Sequence, residues 1–271
     1  MILASWNVNS IRARLDRLLA FLARHRPDVV CLQEVKVAEE EFPHDALNSA
    51  GYLATVWGQR TYNGVAILAK PVAVPGAPPA SPFTDVVRGF GDGRDDEARL
   101  LAATIGGVRV VSAYVPNGKT VGSDKWLYKL DWLGRLAAWL PGEARADRPF
   151  VIMGDFNIAP EDRDVARPEE WKNSVLCHPD GRRALDAAVG SGLVDAVRLH
   201  DVGPGPFTWW DYRMLGFQKG NGLRIDHMFM TPVLAARCHK TWVDREERKG
   251  KLPSDHGPVL ASIEHADFEH D

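Results

Sequence analysis

The sequence predicts an α/β fold in which two sheets pack together with helices outside, and three observations carry that reading. Strand-like runs outnumber helical ones, the strands cluster with helices between them, and polar residues recur where the strand-like runs end. At 271 residues and 45% hydrophobic, the chain can bury a full core, and nothing in its composition forces a division, so a single domain over 1–271 is expected.

In chain order, 2–7 reads as a strand, and Ser10 then caps a helix with Ile11, Leu15, Leu18, Leu19 and Leu22 on one face, stopped by Pro27. The apolar run 29–32 ends at Gln33-Glu34, and 52–57 and 64–69 are two more strands. Residues 71–97, rich in Pro, Gly and Asp, read as a long surface excursion before strands resume at 100–105 and 108–115. Ser123-Asp124 announces a second helix, with Trp126, Leu130, Leu133, Ala137 and Leu140 at helical spacing and Pro141-Gly142 at its end. The strand 150–153 runs into Gly154-Asp155, a helix follows near 182–190, and strands follow near 207–210, 224–230, 236–243 and 257–263. There is no short-period repeat and no low-complexity segment.

Composition excludes several classes. The first residues lack the pattern of a signal peptide, and no segment is apolar for long enough to cross a bilayer. Cys31, Cys177 and Cys238 are odd in number and lack metal-finger spacing, which points to a reducing, cytoplasmic compartment. A net charge of −3 and a pI near 6.3 argue against coating nucleic acid by bulk attraction, so any such site must be a local basic surface.

The chemistry is concentrated at strand ends, in Asn7, Glu34, Asp155, Asn157, Asp226 and Asp255-His256. Strand ends along one sheet edge converge, and Mg²⁺ takes oxygen ligands, usually one or two carboxylates with water; Glu34 and Asp155 answer that demand. Asp155 is also the candidate to orient or deprotonate an attacking water. The Asn157 amide, two residues on and on the same side if the chain stays extended, is placed to donate to oxygens that gain charge, and His256 is a second such donor. Asp226 suits the task of fixing the His256 tautomer. Taken singly, each of these residues is as readily a turn former or a cap. Gly154-Asp155-Phe156-Asn157 after an apolar strand, and Ser254-Asp255-His256-Gly257-Pro258, rise above that level.

Eight ordered segments carry a resemblance over essentially the whole chain: Trp6-Asn7-Val8-Asn9-Ser10-Ile11-Arg12-Ala13, Leu32-Gln33-Glu34-Val35-Lys36, Tyr62-Asn63-Gly64-Val65-Ala66-Ile67-Leu68, Tyr114-Val115-Pro116-Asn117-Gly118, Met153-Gly154-Asp155-Phe156-Asn157-Ile158-Ala159, Thr208-Trp209-Trp210-Asp211-Tyr212, Leu223-Arg224-Ile225-Asp226 and Pro253-Ser254-Asp255-His256-Gly257-Pro258. The sequence resembles the exonuclease III group of apurinic/apyrimidinic endonucleases, within the endonuclease/exonuclease/phosphatase superfamily. The resemblance implies a four-layer α/β sandwich of two mainly antiparallel or mixed sheets flanked by helices, with the site at one rim. It implies a nuclease that uses Mg²⁺, with Mn²⁺ as substitute, cuts 5′ to abasic sites and trims 3′ ends. By the same resemblance Asn7 and Glu34 lie at the metal, joined by Asp155, Asn157 and His256. Asp155 positions or activates water, Asn157 stabilises the transition state, Tyr114 contacts the scissile phosphate and His256 pairs with Asp226. Asp255 is similar to a residue near a second metal position, which leaves one ion or two, and the general base, open.

The superfamily also holds phosphatases of inositol lipids and sphingomyelin hydrolases, so a non-DNA phosphoester is the alternative substrate. Residues resembling the family's DNA contacts favour double-stranded DNA with abasic sites or recessed 3′ ends. Arg99, Asn117, Lys119 and Arg224 are expected at phosphates, and Trp209, Leu223 and Ile225 as the walls of a pocket. Lys36, Arg60, Lys119, Lys125, Lys129, Arg213, Lys219 and Arg224 are expected around its mouth as the local basic surface. The stretches 77–94 and 167–183 match no motif and are where specificity is expected to reside.

Overall fold

The computed structural model describes residues 1–190 and 192–264; positions 265–271 of the expected domain lie outside the described residues. The first sheet contains β1 (Ile2–Asn7), β2 (Val29–Gln33), β3 (Leu53–Trp57), β4 (Val65–Ala69), β11 (Cys238–Val243) and β12 (Val259–Ile263), in the order β11-β12-β1-β2-β4-β3. The second contains β5 (Thr84–Arg88), β6 (Leu100–Ile105), β7 (Val108–Tyr114), β8 (Phe150–Asp155), β9 (Val194–Asp195) and β10 (Asp226–Met230), in the order β5-β6-β7-β8-β10-β9. Both sheets are antiparallel except at one central pair each, β1 with β2 and β7 with β8. A parallel pair needs a crossover, and helices α1 (Ile11–His25) and α3 (Asp124–Glu143) supply the two. Ser10 and Ser123 cap them as expected, by accepting from the Ala13 and Trp126 amides. Shorter helices are α2 (His44–Ser49), α4 (Pro168–Trp171), α5 (Pro179–Val189), α6 (Ala196–His200) and α7 (Pro232–Ala235). No described helix is long and apolar enough to cross a membrane.

The layering follows from strand alternation. Leu3, Val29, Cys31 and Ile67 from one sheet meet Val110, Val151, Met153 and Met228 from the other between the sheets. Ala4, Trp6, Val30 and Leu32 face the α1 residues Leu18, Phe21 and Leu22, while Val111, Phe150 and Ile152 face Trp132 and Leu136 of α3 and Leu185 of α5. The four-layer sandwich is therefore as expected.

Read along the inward faces, the four central strands change character together. Leu3, Ser5 and Asn7 follow one another on β1, Val29, Cys31 and Gln33 on β2, Val110, Ser112 and Tyr114 on β7, and Val151, Met153 and Asp155 on β8. The inter-sheet space thus grades from apolar, through a buried polar step in which Gln33 Nε2 donates to Ser112 Oγ at 3.1 Å, to ionisable groups at the rim. Gly154 is required here because a Cβ at that position would stand 1.8 Å from the Ala113 carbonyl oxygen on the paired strand.

Three element expectations need correction. The excursion 71–97 contains β5, an exposed edge strand too polar to show a periodic signal. The expected strand at 207–210 is only a pair of isolated bridges, from Trp209 to Leu223 and to His256. Pro141 does not end α3, which runs to Glu143.

Candidate active site

Asp155 ends β8 with Tyr114 beside it on β7 and Asp226 beside it on β10, so three neighbouring strands deliver three of the expected residues side by side. Across the gap, the first sheet presents Asn7. Its Nδ2 donates to Glu34 Oε1 at 2.8 Å and to Asp155 Oδ2 at 2.9 Å, while its Oδ1 accepts from the Asn9 amide at 3.0 Å. Asn7 therefore bridges the two carboxylates through its NH₂ group, and its oxygen is turned away from them. Glu34 lies one residue beyond β2 with φ 53°, the left-handed conformation in which it meets Asn7. Its Oε2 is 2.7 Å from Lys36 Nζ, so Lys36 belongs to the site rather than to a solvated rim.

Asp155 is buried and accepts from the Asn157 amide nitrogen at 2.9 Å and from Asn157 Nδ2 at 3.2 Å. Burial, with Asp226 and Glu34 nearby, pushes its carboxyl up to about 7 against the opposing pull of His256. Burial alone would lower the His256 imidazole, but Asp226 and Asp155 outweigh it and raise the ring to about 10. Asp226 Oδ2 lies 2.9 Å from Nδ1, and Nε2 is 3.7 Å from Asp155 Oδ2, so a protonated ring stands between two carboxylates. Burial pushes the Tyr114 phenol well above its ordinary value, and Glu34 and Asp155 add to that, which keeps its proton in place for donation.

Glu34, Asp155 and His256 each offer one ligand atom within 4.8 Å of the others, and the hard oxygens of the first two fit a hard cation. Two other expected ligands are differently engaged. The strand ends at Asp155, so Asn157 does not continue an extended chain; at φ 52° it turns back. Its Oδ1 accepts from Asn117 Nδ2 at 2.9 Å, which leaves it a donor beside Asp155 rather than an oxygen ligand. Asp255 accepts from Asn9 Nδ2 and Trp209 Nε1, both at 3.0 Å, and stands outside the three-residue cluster.

The expected DNA contacts divide. Asn117 and Lys119 are exposed beside the cluster and, with Trp171, Asn173, Ser174 and Trp209, line a cavity of about 450 Å³. Trp171, from the unmatched stretch 167–183, stands edge-on to Trp209 with ring centroids 5.6 Å apart. Its one signal in the sequence is an aromatic residue among the mostly polar residues 167–174. Arg224 is corrected: it is not at the mouth but buried, with Nε 2.6 Å from Asp164 and Nη1 2.7 Å from Asp195, so its guanidinium is engaged by carboxylates. Leu223 and Ile225 are corrected likewise, being packed with Trp126, Val165 and Leu176 beneath the pocket. Arg99 lies 4.7 Å over the Tyr114 ring, donates to the Tyr114 carbonyl oxygen and pairs with Glu97, so it braces the tyrosine instead of facing solvent. Lys129, expected at the mouth, is wholly buried.

Comparison with known proteins agrees with this fold. The model of the Endonuclease/Exonuclease/phosphatase family matches residues 4–256. Exodeoxyribonuclease III of Haemophilus influenzae is 34% identical over 96% of this chain and 98% of its own length. An AP endonuclease from Archaeoglobus fulgidus superposes with a TM-score of 0.92 at 36% identity, over 98% of this chain and 100% of its own. The 3′-5′ exonuclease NExo from Neisseria meningitidis superposes at 0.91 and 37%, with the same coverage. A family match over most of the chain, the same fold and the carboxylate rim agree: the chain belongs to the endonuclease/exonuclease/phosphatase family, on its exonuclease III branch.

Proposed function

We propose that this protein is a metal-dependent DNA-repair nuclease that hydrolyses the phosphodiester 5′ to an abasic site and removes nucleotides or blocking groups from 3′ ends. The carrying observation is the Asn7 bridge between Glu34 and Asp155, with the Asp226–His256 pair alongside and an aromatic-walled cavity adjoining. The similar proteins named as an exodeoxyribonuclease III, an AP endonuclease and a 3′-5′ exonuclease support the substrate class.

Glu34 and Asp155 are the residues that would hold Mg²⁺, or Mn²⁺ in its place, as one ion or two. Such a cation withdraws charge from the phosphoryl group when bound. Asp155 accepts the proton of the attacking water as the water oxygen bonds to phosphorus, and the P–O bond to the 3′-oxygen breaks with that oxygen taking a proton from solvent to leave as the 3′-hydroxyl. The His256 ring, the Asn157 NH₂ group and the Tyr114 hydroxyl donate to the phosphoryl oxygens as these gain charge, and Asp226 keeps His256 protonated. Trp209 and Trp171 frame the space for an extrahelical sugar, which is cheap to extrude because it carries no stacked base. One nuclease domain in the reducing cytoplasm, at the nucleoid in a bacterial cell, fits this role and the buried free thiols.

The deciding experiment compares a labelled abasic duplex, a recessed 3′ end and an inositol phosphate, with Mg²⁺, Mn²⁺ or EDTA. Metal-dependent cleavage of the DNA substrates alone is expected. Turnover of the inositol phosphate without DNA cleavage, or DNA cleavage undiminished in Asp155→Ala, would overturn the reading.

A further inference from the structure

Lys129 is fully buried on α3, and its amino group meets main-chain oxygens on one side and the Trp126 ring, 5.6 Å away, on another. Nζ donates to the carbonyl oxygens of Asn117 at 3.2 Å, Asn157 at 2.8 Å and Val175 at 2.7 Å. An ammonium has three protons, and each finds an acceptor on a different segment: the loop after β7, the turn after β8 and the stretch beyond α4. Burying a cation is expensive unless its hydrogen-bonding capacity is met, so this arrangement demands a specific spacing of the three segments. A helix needing only an anchor would be served at less cost by a leucine.

The carbonyls chosen bear on the chemistry. Asn117 and Asn157 also join through their side chains, Nδ2 of the first donating to Oδ1 of the second at 2.9 Å. That bond fixes which way the Asn157 amide points, so that its NH₂ group donates to the Val115 carbonyl oxygen at 3.0 Å and to Asp155 Oδ2 at 3.2 Å. The proton in the second of these bonds is the one that a phosphoryl oxygen beside Asp155 would take over. The backbone at Asn157 is left-handed at φ 52°, a conformation that asparagine adopts more readily than most residues with a side chain. The third carbonyl, of Val175, follows Asn173 and Ser174 on the wall of the adjoining cavity.

We propose that Lys129 is a positioning residue that aims the Asn157 amide at the reacting phosphate and sets the separation between the carboxylate rim and the 173–175 wall. The proposal rests on the reading of Asn157 as a transition-state donor. It concerns a residue that touches neither substrate nor metal.

The test is a double-mutant cycle in the full-length chain, with Lys129→Met, Asn157→Ala and the pair, read as single-turnover cleavage of an abasic duplex with Mg²⁺ and as duplex affinity in EDTA. Lys129→Met should slow cleavage about 10- to 100-fold while affinity changes by less than about threefold, since misplacing a catalytic group costs rate before binding. On the Asn157→Ala background the same substitution should have almost no further effect. Lys129→Gln and Lys129→Arg, which keep donors but cannot reach three carbonyls as a compact ammonium does, should fall between. Equal losses on both backgrounds, full rate in any folded variant without the ammonium, or failure of all three variants to fold would each overturn the proposal in favour of a scaffold role. Wild-type cleavage by Asn157→Ala alone would instead remove the reading of Asn157 beneath it.

Discussion

Asp226 holds Nδ1 of His256 at 2.9 Å, which leaves Nε2 as the ring atom that faces Asp155 at 3.7 Å. The imidazole is thereby a donor with its direction set by a carboxylate on its far side from Asp155. His256→Ala should lower abasic-site cleavage by about 10²- to 10⁴-fold, the usual range for a positioned proton donor or acceptor. Asp226→Asn should lose less, because the ring stays while its charge is no longer favoured. Single-turnover rates on one duplex give both.

Asn7 separates two carboxylates that would otherwise face each other without a donor between them. Asn7→Asp places a third negative charge there, so the cleavage rate should fall sharply while less Mg²⁺ is required for half-maximal activity, a further carboxylate attracting the cation. Asn7→Ala, which removes the bridge without adding charge, should lower the rate with a smaller change in the Mg²⁺ requirement. Titration of rate against Mg²⁺, after EDTA has abolished activity, measures it.

Arg224 and Lys119 should behave oppositely. Arg224→Met leaves the buried Asp164 with Arg198 alone and removes the ion partner of the part-buried Asp195, and should cost about 3 kcal/mol of stability by urea unfolding. The salt dependence of DNA binding should not change. Lys119→Ala should leave the urea midpoint alone but weaken duplex binding and lower the salt slope by about one unit.

His227 predicts a pH effect on stability. Arg224 can only donate, so its Nη1 contact at 3.0 Å makes Nδ1 the acceptor, and the Nε2 proton goes to the Ile158 carbonyl oxygen at 2.8 Å. Burial, then the Arg224 charge, lowers this imidazole from 6.5 to about 4. The unfolded chain therefore binds the proton first as pH falls. The stabilisation is complete above pH 6.5 and is lost progressively toward pH 4, on the order of 3 kcal/mol in all. Urea midpoints for wild type and His227→Gln between pH 7 and pH 4 should converge as pH falls; parallel lines would refute the assignment.

The strand-end residues were legible because carboxylates and amides flank the apolar runs, Asn7, Glu34 and Asp155 at the close of theirs and Asp226 and Asp255 ahead of theirs, more often than turns and caps require. Gly154 was legible only as part of the segment Gly154-Asp155-Phe156-Asn157, since its cause, the Ala113 carbonyl oxygen on the neighbouring strand, is visible only once β7 and β8 are paired. Arg224 and Lys129 were misplaced because a basic side chain near a motif reads as surface. Their partners lie far off in sequence, Asp164 being 60 residues from Arg224 and Asn157 28 from Lys129. Leu223 and Ile225 were assigned to a pocket wall, yet the Trp209 bridge covers them from above. Burial of this kind is a property of the assembled loops and leaves no local period.

The Asn7 bond to Asp155 joins residues 148 positions apart and belonging to different sheets, so the rim is also the seam where two leaves of the molecule meet. Anything that binds Glu34 and Asp155 together fastens that seam, and opening the sandwich must then expel it. Occupancy and resistance to melting become one linked quantity, with stability rising by RT ln(1 + [L]/Kd) for a ligand that binds only the folded chain. A melting curve taken across a series of divalent cations would consequently rank them for this rim without any nucleic acid in the tube.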